Sequence, residues 1–403
     1  MELFWLEHKK LWRKKIVKIC VLLCFVYCVI FGSILSFQWF CFGSSDDYTS
    51  AFGNNFDGYT VIKDSQEYAL SFGGELTDET LQKIVSDYQQ MEADGMGEEL
   101  EKTDWQIVNS WLGTLYPELR DTSNYKTMIS YVDPDKLTGF YERRQQVLDE
   151  FLEVSGQVGA EKEFLHQIER KVEKPFHYEW VEGWSTLLGS MVADLGVVMA
   201  LFLGIVLSSL FAGEWHDNTS TLVLTTRNGW GKIALAKILT GLAFTVELFA
   251  LLAVSNVISQ LFFMGTAGWD MPIQNIKLIA VAPMNMLQAE IYEYAFVLLG
   301  AIGFAGIVMF ISAAVKNNVL TLLLSLAVVY GPMMIAEYLP YKMQKALDLI
   351  PLVGSSTDIF RTNTFRILGK LIWSPYLLIT IPVLIGILCM PFAIKSWSRR
   401  MKA

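Results

Sequence analysis

Six long apolar runs limit what this chain can become. They cover about Ile16–Phe37, Leu187–Ala212, Ile233–Phe263, Ile291–Val315, Val319–Tyr338 and Ile372–Ile394. A helix rises ~1.5 Å per residue, so ~20 residues cross the hydrocarbon core of a bilayer. A soluble chain of 403 residues would divide into two or three domains, but here 53% of the residues are hydrophobic and 13% aromatic. The fold this implies is an all-α polytopic membrane protein with six transmembrane helices.

The polar stretches between the runs set the expected topology. Residues 1–18 interleave Lys9, Lys10, Arg13, Lys14, Lys15 and Lys18 with Trp5, Leu6, Leu11 and Trp12. That pattern predicts an interfacial helix on the cytoplasmic face, its cations towards anionic lipid. The first run is too long for a signal peptide and lacks a clear cleavage site, so 19–42 reads as a retained transmembrane helix. Residues 43–183 then form a large α-rich (α+β) extracellular insertion between the first and second spans. Transmembrane helix two follows at 184–212 and a cytoplasmic segment at 213–232. Residues 233–403 hold transmembrane helices three to six, short loops and a basic tail. The expected location is the cell membrane, multi-pass, with both termini cytoplasmic. Lys342, Lys345, Arg361, Arg366 and Lys370, in the loop before the last span, run against that rule.

The net charge of −9 averages two opposite parts. Residues 43–183 carry 29 acidic and 12 basic side chains, and the remainder carries 12 acidic and 20 basic. An acidic insertion excludes nucleic acid as its partner. Within it, Thr60–Ile62 and Tyr68–Phe72 read as short strands. Thr77 reads as the cap of a helix with Leu81, Ile84, Val85 and Tyr88 at helical spacing. Further helices are expected over about Pro134–Glu153 and Glu161–Val172.

Cys20, Cys24, Cys28, Cys41 and Cys389 lie outside the body of the insertion, which excludes a disulfide framework there. Cys20, Cys24 and Cys28 share a helix face without a His or carboxylate among them and read as packing residues. The four histidines, His8, His166, His177 and His216, are too scattered for a zinc site. No Gly-x-x-x-x-Gly-Lys-[Ser/Thr] occurs, so the chain is not expected to hydrolyse ATP, bind a cofactor or hold a metal. Asp194 and Glu247 fall inside predicted spans. They are candidates for a translocation path, or for structural hydrogen bonds between spans. Glu290 and Glu293 open the fourth span and read as interfacial.

The stretch from Phe211 to Lys237 separates the second and third runs. Arg227, Lys232 and Lys237 place it in the cytoplasm. Asp217 or Asn218 can cap a short helix, Leu222, Val223 and Leu224 give it an apolar side, and Asn228-Gly229 can end it. Such a helix is either a docking surface or an ordinary loop. Its order, Phe211-Ala212-x-Glu214, Thr219, Leu222-x-Leu224-Thr225, Arg227 and Lys232-Ile233-x-x-Ala236-Lys237, resembles the cytoplasmic segment of permeases of the ATP-binding-cassette type 2 family. Asn218 stands where that family often has Gly, and Thr226 where it often has Pro. Gly74–Lys83 is also similar to external domains of related Gram-positive permeases. The resemblance implies that Glu214, Thr219, Leu222, Leu224, Arg227 and Lys237 couple the spans to separate cytoplasmic ATPase subunits, which would bind the ATP and Mg. A second permease subunit, identical or related, would complete the pore in the lipid membrane. Export of a peptide, antibiotic or lipid-like substrate is then expected. The residues alone also allow an ion- or proton-coupled secondary transporter or channel, or a membrane sensor or immunity protein with an external ligand-binding domain.

Overall fold

A computed structural model describes residues 2–30, 66–67, 69–71, 73–96, 105–121, 123–188, 192–217, 219, 231–354, 360 and 363–399. In chain order the longer elements are helix α1 (Glu2–Arg13), α2 (Lys15–Val29), strand β1 (Gly74–Leu76), α3 (Asp78–Ala93), α4 (Trp105–Leu115), α5 (Phe140–Val154), α6 (Ala160–Glu169), β2 (Phe176–Tyr178), α7 (Glu182–Thr186), α8 (Val192–His216), α9 (Lys232–Met264), α10 (Met286–Ala314), α11 (Asn318–Ile335), α12 (Tyr341–Leu347), β3 (Thr364–Ile367), β4 (Lys370–Trp373) and α13 (Ser374–Arg399).

The chain is mostly helical. Five helices among the described residues are long and apolar enough to cross a membrane: Leu195–His216, Lys232–Met264, Met286–Ala314, Asn318–Tyr338 and Ser374–Ser398. Their number and length mark a membrane protein. Helix α2 is apolar and carries the first part of the expected first span; the rest of that span lies outside the described residues.

The spans pack through small and hydroxylated residues. The buried residues of α11 are Thr321, Ser325 and Val329, one per turn, while Val319 and Leu323 point outwards. That is the pattern of a helix with a lipid-facing apolar side. The crossing of α10 and α13 is the tightest contact. A Cβ added to Gly303 would sit 2.3 Å from the Pro382 carbonyl oxygen, and one on Gly306 would sit 2.4 Å from that of Gly386. Only glycine lets the two backbones approach so closely. Gly306→Leu is therefore expected to lower stability by roughly 1–3 kcal/mol through overpacking. Gly331→Ala, with no atom near the added methyl, is the control and should be neutral or slightly stabilising. Thermal unfolding of both variants in detergent checks this.

The insertion rests on the loops at one end of the bundle. β1 and β2 pair antiparallel, Gly74 opposite Tyr178. Thr77 accepts from the Thr80 amide and caps α3, which buries Leu81, Ile84, Val85 and Tyr88 as their spacing predicts. Trp111 donates to the Asn275 carbonyl (2.9 Å), and Asn275 in turn donates to the His177 carbonyl (2.7 Å). Arg366 of β3 pairs with Glu161 of α6 (2.7 Å).

Three expectations change. Residues 69–71, expected as strand, are helical. Gln66, Glu67, Ala69 and Leu70 favour helix, and Ala69 is buried in a cluster with Trp180 and Met264. The expected helix over Pro134–Glu153 is a 3-10 turn, Pro134–Lys136, followed by α5, with Gly139 at positive φ between them. The last span starts at Ser374 rather than Ile372, because Ile372 and Trp373 belong to the β3–β4 hairpin. Thr60–Ile62 lies outside the described residues.

Candidate functional site: a buried ion network at the end of the bundle

Helix α8 ends, and α9 begins, at the end of the bundle away from the insertion. Glu214 lies in the last turn of α8 and Lys237 in the second turn of α9. They are 4% and 2% exposed, a depth at which charges persist only when paired. Glu214 Oε1 accepts from Lys237 Nζ (2.8 Å) and from Lys10 Nζ of α1 (2.6 Å). Glu214 Oε2 accepts from the Thr219 hydroxyl. Lys237 also donates to Glu7 Oε2 of α1 (2.9 Å). The result is a chain of alternating charge, Glu7–Lys237–Glu214–Lys10, joining three helices. Lys14, just after α1, donates to Ser209 of α8 (2.9 Å).

Electrostatics at the edge follow from these contacts. Burial lowers the pKa of Lys10, but the bond to Glu214 and its charge outweigh that and hold Lys10 above its ordinary value. Lys14 is pushed down, first by burial and then by the neighbouring charges of Lys237 and Lys10. The cleft among these groups measures about 20 Å³, little more than the room one water needs. It is a joint between helices and not a pocket for cargo.

Above the joint, Ser312 of α10 enters the backbone ladder of α8. Its hydroxyl donates to the Ser208 carbonyl (2.7 Å) and accepts from the amides of Phe211 and Ala212 (3.1 Å each). A side chain inserted into the i→i−4 ladder is a recognised cause of helix bending. It lies half a turn before Glu214.

Of the residues flagged in the sequence, Glu214, Thr219 and Lys237 come together. Leu222, Leu224 and Arg227 lie outside the described residues, as does the side chain of Asp194, which α8 carries near its start. Glu247 is not in the bundle interior. Its carboxylate, 42% exposed, faces α1, where Trp12 Nε1 donates to it (3.0 Å) and His8 Nε2 lies 3.2 Å away. With 33 residues, α9 is about 50 Å long, some 20 Å more than a hydrocarbon core. The middle of its sequence need not be the middle of a membrane. Lys10 and Lys14 were expected to face lipid; instead Lys10, its side chain 51% exposed, bonds to Glu214 and Lys14 bonds to Ser209. Glu290 and Glu293, expected at the interface, are 4% and 6% exposed.

Sequence reading missed Glu7 and Ser312, and it missed Arg144 in the insertion. Arg144 had a signal: Phe140, Arg144, Leu148 and Leu152 form the buried stripe of α5 at four-residue spacing. Among the described residues no three His, Cys, Asp or Glu side chains gather as metal ligands. The chain matches no protein-family profile, no curated protein and no solved structure.

Proposed function

We propose that this chain is the membrane-spanning permease subunit of an ATP-driven exporter of the ATP-binding-cassette type 2 class. Cytoplasmic ATPase subunits, carrying ATP and Mg, would dock on residues 213–232. A second permease subunit, the same or related, would face this one across the pore. The observation that carries the reading is the Glu7–Lys237–Glu214–Lys10 network. Glu214 and Lys237 bracket the polar segment, and both are tied to α1. A push on that segment therefore moves α1, the end of α8 and the start of α9 together, with the Ser312 insertion as a place for α8 to bend. The Leu222 and Leu224 side chains would supply the apolar face that an ATPase groove takes up.

The orientation puts the network inside the cell and the insertion outside. In the loop before the last span, Arg366 pairs with Glu161 of the acidic insertion, so that one cation does not argue against this orientation. Protease added to intact spheroplasts should clip 43–183 and spare Trp215–Lys232; cleavage of the second region alone would invert the topology. Function is tested by affinity purification of the tagged chain from its native membrane. An ATPase should copurify, and replacing Leu222 and Leu224 together by Ser should release it while the chain stays in the membrane. A chain that brings down no ATPase and transports without ATP would replace this reading with a secondary transporter.

A further inference from the structure

A cavity of about 400 Å³ lies in the seam where the insertion rests on the loops at its end of the bundle. That volume falls in the range of small-molecule sites. One wall belongs to the insertion: Lys171 and Glu173, in the link from α6 to β2, and His177 of β2. The other belongs to the bundle: Asp270, after α9, and Asn285 and Gln288 at the start of α10.

The bundle wall is held by bonds of its own. The Ile273 amide donates to the Met284 carbonyl (3.1 Å) and the Met286 amide to the Met271 carbonyl (2.9 Å). Gln274, which also lines the cavity, is fully buried and donates to the Ala280 and Ala282 carbonyls (3.0 and 2.8 Å). Asn275 fastens this wall to the insertion through the His177 carbonyl. The cavity is therefore shaped before anything enters it.

Its lining carries both signs of charge and fixed amide donors. Asn285 Oδ1 accepts from the Gln288 amide (2.9 Å), and Gln288 Oε1 accepts from the Asn285 amide (3.2 Å). This capping box engages both side-chain oxygens and leaves the two carboxamide nitrogens to donate. Lys171, Glu173 and Asp270 form no ion pair among the described residues. The residues around Lys171 do pair, Arg170 with Glu163 and Lys174 with Glu169. Among the lining residues only His177 has an aromatic ring, so the walls do not offer the stacking platform that a nucleobase or sugar ring uses. Nor do charges and carboxamides suit an acyl chain.

We propose that this cavity binds a small zwitterion, an amino acid or a peptide of about two or three residues, between the insertion and α10. Lys171 and the two carboxamide nitrogens receive the carboxylate, and Asp270 and Glu173 receive the ammonium. Such a ligand touches both the insertion and the first turn of α10, the helix that carries Ser312 near its other end. The site does not depend on an ATPase, so it stands or falls separately from the exporter reading.

The test is isothermal titration of the full chain in lipid nanodiscs, without an ATPase. The probes are alanine and trialanine, each also with its amine acetylated or its carboxylate amidated. At least one unblocked probe should bind saturably with a Kd of about 1 mM or tighter. Alanine binding as tightly as trialanine marks an amino-acid site, and tighter binding of trialanine marks a peptide site. Blocking either end of the tighter probe should weaken it at least about ten-fold. Lys171→Met and Asp270→Asn, both at exposed positions, should each do the same. No saturable binding of either unblocked probe up to about 10 mM would overturn the site. So would a blocked form that binds as well as its parent, or wild-type affinity in either variant.

Discussion

Replacing Lys237 with methionine is expected to release α1 from the bundle and to cost about 3–5 kcal/mol. Removing one member of a buried ion pair leaves the other without compensation, which is worse than having no pair. Here a single substitution takes a cationic partner from two carboxylates. Glu214 keeps Lys10, which is half in solvent, and Glu7 keeps nothing that the network supplied. Thermal unfolding and hydrogen exchange read the effect, with loss of protection concentrated in Glu2–Arg13. Combining Lys237→Met with Glu214→Gln should recover part of the loss, because contacting partners are not additive. Unchanged melting and unchanged α1 protection in the single variant would mean that Trp12, His8 and Lys14 hold α1 without the network.

Arg144→Met should have an effect of similar size at the other end of the molecule. The Arg144 guanidinium is fully buried. It donates to Glu169 (2.7 Å), to the Leu278 carbonyl (2.7 Å) and to the Ala280 carbonyl (3.1 Å), and lies over the Phe176 ring. One side chain thus ties α5 to α6 and to the loop after α9. Methionine fills the space but strips the Leu278 carbonyl of its donor and leaves the Ala280 carbonyl with Gln274 and the Glu169 carboxylate with Lys174, again about 3–5 kcal/mol. The wild type should also weaken in acid. Burial raises the Glu169 pKa, but Lys174 and Arg144 outweigh it and hold the carboxyl below its usual value of 4.5. A depressed carboxylate stabilises the fold at neutral pH, and that contribution fades as pH falls below 4.5 and through the folded-state value. Insertion unfolding followed by tryptophan fluorescence between pH 7 and 3 should show this loss in the wild type and a smaller one in Arg144→Met. A flat wild-type profile would remove Glu169 from the account.

Five of the six expected spans were legible because continuous apolar length is a local property of the sequence. So were the Thr77 cap and the buried positions of α3, which follow from turn chemistry and a 3.6-residue period. The β1–β2 pair was not, since three-residue strands about a hundred positions apart leave no periodic trace. Glu214 and Lys237 were picked out for their place in a motif, yet sequence says nothing of what they bond. Their link to Glu7 and Lys10 depends on α1 folding back along α9. Lys10 looked lipid-facing because an amphipathic helix has no visible preference between a membrane and a buried acid. Depth misled for Glu247, since α9 exceeds a bilayer, and for Glu290, which is buried by its neighbours rather than by its position along the helix. Ser312 could not be found, because its role exists only where it meets the backbone of α8.

The most direct measurement is the ATPase rate of the copurified complex in nanodiscs, wild type against Glu214→Ala. The alanine removes the carboxylate that joins Lys10, Lys237 and Thr219. If the network passes motion between the segment at 213–232 and the spans, the variant complex should either lose its ATPase or hydrolyse ATP at the rate of the isolated ATPase, with transport abolished. Full copurification with wild-type hydrolysis and transport would show that Glu214 only fastens helices, and that the segment after it is a loop.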